Sequence, residues 1–266
     1  MPSEPFGFKR KITLLGTGVI LPHPERGQSS FLLETEDKTR VLFDCGSGTE
    51  TRLARIGVEP EEIDHIILSH HHIDHDAGFM PLLKAMWLKG KSKIFLYGPQ
   101  GTEKWYRSLL EVWSYMKKRI EVKVVEMSPG KRIAFPSFSL GSQEMTHSVP
   151  CLGYRLEFGD GTSLVYSGDT EPCKGLKKLL GKKTTVLIHE CSFPETMDVT
   201  NHTTPETLAR FLFRLKEEGG LRLSTIVLTH FYKQNLNREN KIVEIIKNRL
   251  PETEVFCGRD LMELTF

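Results

Sequence analysis

The stretch LSHHHIDHDAGF, residues 68–79, limits the possible folds of this chain more than any other, because it gathers four of the ten histidines and two aspartates. Just before it, IDHIILSH (63–70) is a short apolar run that reads as a buried strand. Imidazoles and carboxylates are costly to bury, and imidazoles repel one another when protonated, so a strand ending in such a cluster needs something to hold it. A metal ion meets that need, since zinc and similar borderline ions take imidazole nitrogen and carboxylate oxygen. His70 and His72 are two apart, and Asp74 and His75 are adjacent. That is not the i, i+4 spacing of a helical HExxH site, and it predicts a loop wrapped round the ion. His71 falls in the gap, and its side chain is expected to point away.

The rest of the chain alternates short apolar runs with helical stretches. KITLLG (11–16), SSFLLET (29–35), RVLFDCG (40–46), SKIFLYG (92–98), TTVLIHE (184–190), STIVLTH (224–230) and EVFCG (254–258) read as strands, as do 120–126, 132–140, 152–158 and 162–168. Helices are predicted at 49–57, 77–90, 102–116, 203–220 and 239–250. In the fourth of these, Thr204 can cap, Pro205 suits the first turn, and Leu208, Phe211, Leu212 and Leu215 keep the helical period. Two β-rich halves with flanking helices predict an α/β chain, one domain over 1–266, with two mixed sheets packed face to face under outer helices. Polar residues recur where strands end: Asp44, His70, His147, Asp169, Glu190 and His230.

One metal needs three or four protein ligands, which residues 68–79 can offer alone. Two ions sharing a carboxylate need about three more from elsewhere. His147 in EMTHSVP, Asp169 in VYSGDTE and His230 in IVLTHF qualify. Two ions so held could carry a bridging hydroxide at neutral pH and polarise a phosphoryl or carbonyl oxygen.

Bulk properties exclude some classes. Lys+Arg of 36 against Asp+Glu of 34 gives a net +2, which is not the footprint of an obligate nucleic-acid binder. Lys177, Lys178, Lys182 and Lys183 form a local basic run, read more simply as a solvated face. Five cysteines without a CxxC pair argue for a reducing compartment, and none stands out as a nucleophile. The N-terminus has no signal-peptide h-region, and no segment nears the roughly 18 apolar residues of a membrane span. The expectation is a soluble cytoplasmic protein. Trp87, Trp105 and Trp113 could be core or could form a homodimer surface.

Taken in order, LGTGVILPHPERGQSSFLLE, LFDCGSGTETRL, SHHHIDHDAG, LYGPQGTEKW, THSVPCLGYRLE, YSGDTEPCKGL, IHECSF, NHTTPETLARF and LTHF resemble the motifs of the metallo-β-lactamase-fold hydrolases, in particular the ribonuclease Z branch and its phosphodiesterase relatives. The likeness spans nearly the whole chain. It implies a four-layer αβ/βα sandwich with a dinuclear site at the strand ends. His70, His72 and His147 would then hold one metal, and Asp74, His75 and His230 the other. Asp169 would bridge them and Asp44 would support a ligand. Two zinc ions are the implied cofactors, with manganese or iron accepted by the same donors. Glu190 and His202 match a Glu–His pair near the metals, a tuned acid for the leaving group, and Asp74 joins them among the reacting residues.

The chain departs from ribonuclease Z in two places. His147 and Asp169 stand 22 positions apart, room for a hairpin but not for the family's tRNA-gripping arm. GSGTET also replaces a motif that usually carries an acidic residue and Gln. The expected activity is therefore metal-dependent phosphodiester hydrolysis, on an RNA 3′ end, a small nucleotide or a cyclic phosphodiester, rather than specific tRNA processing. The rivals are a carbonyl-ester hydrolase of the same fold, such as a lactonase or thioesterase, and a non-catalytic binding module.

Overall fold

Short runs rich in β-branched and aliphatic residues build two sheets of seven strands each. The computed structural model describes residues 10–266; the segment 1–9, read above for a targeting signal, lies outside them. The first sheet opens with antiparallel β1 (Lys11–Gly16), β2 (Ser30–Glu34) and β3 (Arg40–Phe43). The strands β4 (His65–Ile67), β5 (Lys93–Gly98) and β6 (Glu121–Glu126) follow in parallel. The helices α1 (Thr49–Arg55), α2 (Ile73–Asp76), α3 (Phe79–Leu88) and α4 (Thr102–Val112) lie between them in sequence.

The second sheet begins with antiparallel β7 (Arg132–Ala134), β8 (Phe138–Glu144), β9 (Leu152–Phe158) and β10 (Ser163–Tyr166). It continues in parallel through β11 (Lys183–Glu190), β12 (Arg222–Thr229) and β13 (Glu254–Cys257). These strands are linked by α5 (Lys174–Leu180), α6 (Pro205–Gly219) and α7 (Glu239–Lys247). Finally β14 (Glu263–Thr265), a strand the sequence reading missed, returns to pair with β1.

The cores follow these layers. Between the sheets, Phe31 stacks on Phe43 at 4.6 Å, and Tyr166 meets Phe31 edge-on at 5.0 Å. Tyr154, Leu156, Val186 and Ile188 fill the same layer. Leu53, Phe79, Leu83, Ile66 and Leu96 pack the helices of the first half onto their sheet, and Leu176, Leu208, Leu212, Ile242 and Ile226 do so in the second. The result is the expected αβ/βα sandwich.

Several elements stop two or three residues short of expectation, β4 at both ends and α7 at its C-terminal end among them, and two differ more. The run 132–140 divides into β7 and β8, because Pro136 cannot donate to the ladder and the chain reverses there. The helix begun at Thr102 stops at Val112, since Trp113 (φ −104°, ψ 60°) leaves helical geometry before a short 3₁₀ turn. α6 forms as read: Thr204 Oγ1 accepts from Thr207 N, Pro205 is the first residue, and Gly220 closes it at φ 66°. Trp87 and Trp105 pack against the first-half core, whereas Trp113 is 39% exposed.

Candidate metal centre

The polar residues that end β3, β10, β11 and β12, together with the loops after β4 and β8, meet at one rim of the sandwich. The loop after β4 is partly helical, because Ile73–Asp76 make a single turn. This corrects the expectation of a plain loop. The turn presents Asp74 and His75 together, while His72 at its start stays extended (φ −85°, ψ 146°).

Two sets of donors converge. In the first, His70 Nε2 and His147 Nε2 each lie 3.1 Å from His72 Nδ1, and Asp169 Oδ2 lies 3.9 Å from His70 Nε2. In the second, His75 Nε2 and His230 Nε2 are 3.3 Å apart, with Asp74 Oδ2 3.4 Å from His230 Nε2. Asp169 Oδ2 reaches both histidines of the second set, at 3.5 Å and 3.3 Å. The structure thus brings together all seven ligands expected from the sequence, with Asp169 between the two sets.

The donor chemistry fits metal ions. Four-coordinate zinc with nitrogen ligands at about 2.0–2.1 Å implies donor-to-donor edges of about 3.3 Å, close to the spacings above. The rings are also oriented for it. Ser69 Oγ gives its proton to Asp44 Oδ2 (2.8 Å), so His70 Nδ1 donates to Ser69 Oγ (2.9 Å). Ser192 Oγ likewise donates to Glu190 Oε2 (2.6 Å) and accepts from His230 Nδ1 (2.9 Å). His75 Nδ1 donates to Asp44 (2.7 Å), and His147 Nδ1 donates to the Asn201 carbonyl (2.8 Å). With each of these Nδ1 atoms committed, four Nε2 atoms point inward and are free to bind a cation, and such outer partners orient metal-binding imidazoles. His72 alone turns Nδ1 inward.

Electrostatics follow from burial. Burial and the neighbouring His75 hold His70 well below the usual imidazole value, so its Nε2 stays an acceptor. Burial opposes ionisation of Asp169, but His230 and His75 outweigh it and keep that carboxyl well below its usual range. Asp44, fully buried, also takes the Ser69 amide (2.6 Å) and the Tyr166 hydroxyl (2.5 Å). Both Asp44 (φ 51°) and His230 (φ 60°) occupy left-handed backbone conformations, which cost energy in non-glycine residues and recur at functional sites.

Beside the donors lies the second expected feature. His202 Nδ1 is 2.9 Å from Glu190 Oε1 and 4.0 Å from Asp169 Oδ2. Glu190 is buried and also accepts from the amides of Thr170, Ser192 and Thr203. Burial works against a charged His202, yet the Glu190 hydrogen bond and charge prevail and raise it above the ordinary imidazole range. His202 could itself complete a donor group with Asp169 and His230.

Several histidines take the plain roles expected. His71 turns away to Asp76 (3.1 Å) and Thr102 (2.9 Å), His189 bonds the Glu190 carbonyl (2.6 Å), and His65 stacks on Phe95 at 5.3 Å. His23 accepts from the Glu25 amide at 3.2 Å. The five cysteines are free, and burial raises Cys45, Cys151 and Cys191 well above the usual thiol range. Sequence reasoning missed Ser69, Ser192 and Tyr166, lone hydroxyls without a motif of their own. Between His147 and Asp169 stands only the β9–β10 hairpin, turning at residues 159–162.

Comparison with known proteins agrees with this geometry. A family profile described as Anti-Pycsar protein Apyc1 matches residues 10–245. A ribonuclease Z of Methanococcus maripaludis (strain C6) is 30% identical over 308 aligned positions, covering 95% of this chain and 98% of its own. That alignment is longer than the 266-residue chain, so the relative carries inserted segments that are missing here. The crystal structure of human short-form tRNase Z is 25% identical with a TM-score of 0.76, covering 96% of this chain and 98% of the human one. The metallo-β-lactamase-fold protein YhfI of Bacillus subtilis shares the fold at a TM-score of 0.79 and 22% identity, covering 97% of this chain and all of its own.

Proposed function

This chain belongs to the family of the anti-Pycsar protein Apyc1 and, with ribonuclease Z, to the metallo-β-lactamase-fold hydrolases, and from that premise we propose a specific role for each residue of its centre. The protein is a metal-dependent hydrolase of the phosphodiesterase kind. His70, His72 and His147 would hold one cation, and Asp74, His75 and His230 a second, with Asp169 available to both sets. Zinc suits this mixed imidazole and carboxylate set. Two such ions would supply a water nucleophile active at neutral pH and positive charge for the phosphoryl oxygens.

The protein's own groups do the rest. The water oxygen bonds to phosphorus as the bond from phosphorus to the leaving oxygen breaks. Asp74, at 8% exposure the most open carboxylate of the set, takes a proton from the attacking water. His202 gives a proton to the leaving oxygen, and Glu190 keeps it charged and correctly turned. The 2.9 Å Glu190–His202 contact beside the donors carries this reading, because an alkoxide leaves poorly unless protonated. Five free cysteines favour a reducing, cytoplasmic setting, and no helix among the described residues is long and apolar enough to cross a membrane.

Two leaving groups test the assignment. p-Nitrophenolate departs without protonation, whereas a ribose alkoxide does not. Zinc-loaded protein should hydrolyse bis(p-nitrophenyl) phosphate and lose that activity to a chelator. His202→Ala should lower kcat by about 10²–10⁴-fold on a ribonucleotide diester, and much less on the nitrophenyl ester. An equal loss on both substrates would remove His202 as the acid. Two bound metals without turnover of any phosphodiester would overturn the phosphodiesterase reading.

A further inference from the structure

The chain turns sharply at His230, whose left-handed backbone (φ 60°) separates the next two side chains. Phe231 goes into the core beneath the Arg26 guanidinium, 4.7 Å from its ring centre, and its amide donates to the Thr17 carbonyl at 3.0 Å. Tyr232, extended at φ −72° and ψ 157°, stays half-buried beside the candidate metal centre. Its amide donates to the Ser192 carbonyl (3.2 Å). Its carbonyl accepts from the Asn235 amide (2.9 Å) across the short 3₁₀ turn Lys233–Asn235. Asn235 is buried and donates through Nδ2 to the Cys191 carbonyl (2.7 Å). The backbone under Tyr232 is therefore tied to the end of β11, the strand that carries Glu190.

The ring is fixed as well. It stacks on Phe193, with centroids 4.6 Å apart and planes 18° from parallel. It stands nearly perpendicular to His202 (6.5 Å, 79°) and to His230 (6.3 Å, 78°), two imidazoles whose own planes differ by only 14°. The phenol thus borders both the proposed acid and the second donor set. Its hydroxyl makes no hydrogen bond among the described residues. Burial, and after it the charges of Asp74, Asp169 and Glu190, hold it above the ordinary phenol value, so it keeps its proton. A tyrosine hydroxyl removed from bulk water usually finds a partner. We infer that the partner of Tyr232 is the substrate: its hydroxyl donates a hydrogen bond to a non-bridging oxygen of the phosphoryl group under attack, which makes Tyr232 a further catalytic residue beside Asp74, Glu190 and His202. No proton is transferred. The bond strengthens as negative charge gathers on that oxygen in the transition state. Phe193 acts through Tyr232, holding the ring at right angles to His202.

The inference rests on the phosphodiesterase reading, and its test separates the two. The probes are a nucleoside 5′-(p-nitrophenyl) phosphate and its Rp and Sp phosphorothioates, in which sulfur, a weak acceptor, replaces one or the other non-bridging oxygen. Tyr232→Phe keeps the stacked ring and removes only the hydroxyl. On the oxygen diester it should lower kcat about tenfold with KM nearly unchanged, less than the roughly 10²–10³-fold of an enclosed donor because the site of Tyr232 is half-open. p-Nitrophenolate leaves without protonation, so this loss cannot come through His202. With the isomer whose sulfur faces Tyr232, the loss should shrink to about twofold, since the hydroxyl there has little to donate to. The other isomer should show the full loss. An equal loss on all three diesters, a higher KM with kcat unchanged, or a variant that binds less metal would each overturn the assignment while leaving phosphodiester chemistry intact. Failure of the unmodified protein, with both metals bound, to cleave either the oxygen diester or bis(p-nitrophenyl) phosphate would overturn the phosphodiesterase reading and the assignment with it.

Discussion

Glu190 Oε1 lies 2.9 Å from His202 Nδ1, and the carboxylate beneath that ring is held by three backbone amides and the Ser192 hydroxyl. A carboxylate held by so many donors is fixed in place beneath the ring. Glu190 raises the folded-state pKa of His202 against burial. The acid therefore stays protonated to higher pH, and activity on alkoxide leaving groups should fall as pH rises through that raised value. Glu190→Gln removes the charge and leaves the burial, so the alkaline limb of the kcat profile should move to lower pH. The linkage has the same sign: stability from this pair is complete below the ordinary imidazole value and is lost as pH rises through the folded one. An alkaline limb that stays in place in Glu190→Gln would sink the assignment.

Asp44 touches no substrate, yet it takes His75 Nδ1 directly and His70 through the Ser69 hydroxyl. It therefore supports one imidazole of each donor set. Asp44→Asn should weaken metal binding about 10–100-fold, the usual effect of losing an outer partner of a ligand. Titration with a competing chelator reads this directly, and native-like metal affinity in the variant would argue against the coupling.

The buried donors also make stability depend on metal. Seven candidate donor groups, most of them buried, turn their lone pairs toward two shared points and are best satisfied with cations among them. Free metal at 100 times its Kd should stabilise the fold by about 2.7 kcal/mol per site. For a chain of this size that raises Tm by roughly 5–10 °C per site. Differential scanning calorimetry with and without chelator measures it, and an unchanged Tm would mean that the cluster holds no metal.

The seven residues that converge as candidate metal donors were legible in the sequence for a physical reason. Each sits at or just past the end of an apolar run, where a strand reading says the chain leaves the core, and HxHxDH concentrates four of them. The layer order was legible for the same reason, since the strand runs are strongly apolar. Among the outer partners Asp44 was, at the end of its strand, but the hydroxyls were not. Ser69, Ser192 and Tyr166 act through single hydroxyls whose meaning lies in what they face across the sheets, and no local pattern marks that. The turn of α2 carries no apolar period, so nothing in IDHD announces a helix.

The core and the site meet at Tyr154. Its ring fills the layer between the sheets with no exposed surface, and its hydroxyl donates to the Leu68 carbonyl at 2.7 Å. Leu68 is the first residue of the histidine-rich stretch, and the next amide, that of Ser69, donates to Asp44 at 2.6 Å. Tyr154 thus fixes the backbone from which His70 and His72 depart. Tyr154→Phe keeps the ring and strands a buried carbonyl, which should cost about 1–2 kcal/mol of stability. Because the freed backbone is the start of the metal loop, metal affinity should also fall, although Tyr154 is not itself a ligand. Denaturant unfolding of the metal-free protein isolates the first effect, and chelator competition at a temperature where both proteins are folded isolates the second. A stability loss with unchanged metal affinity would show that the loop is positioned by its ligands alone, and that the Leu68 carbonyl serves only the core.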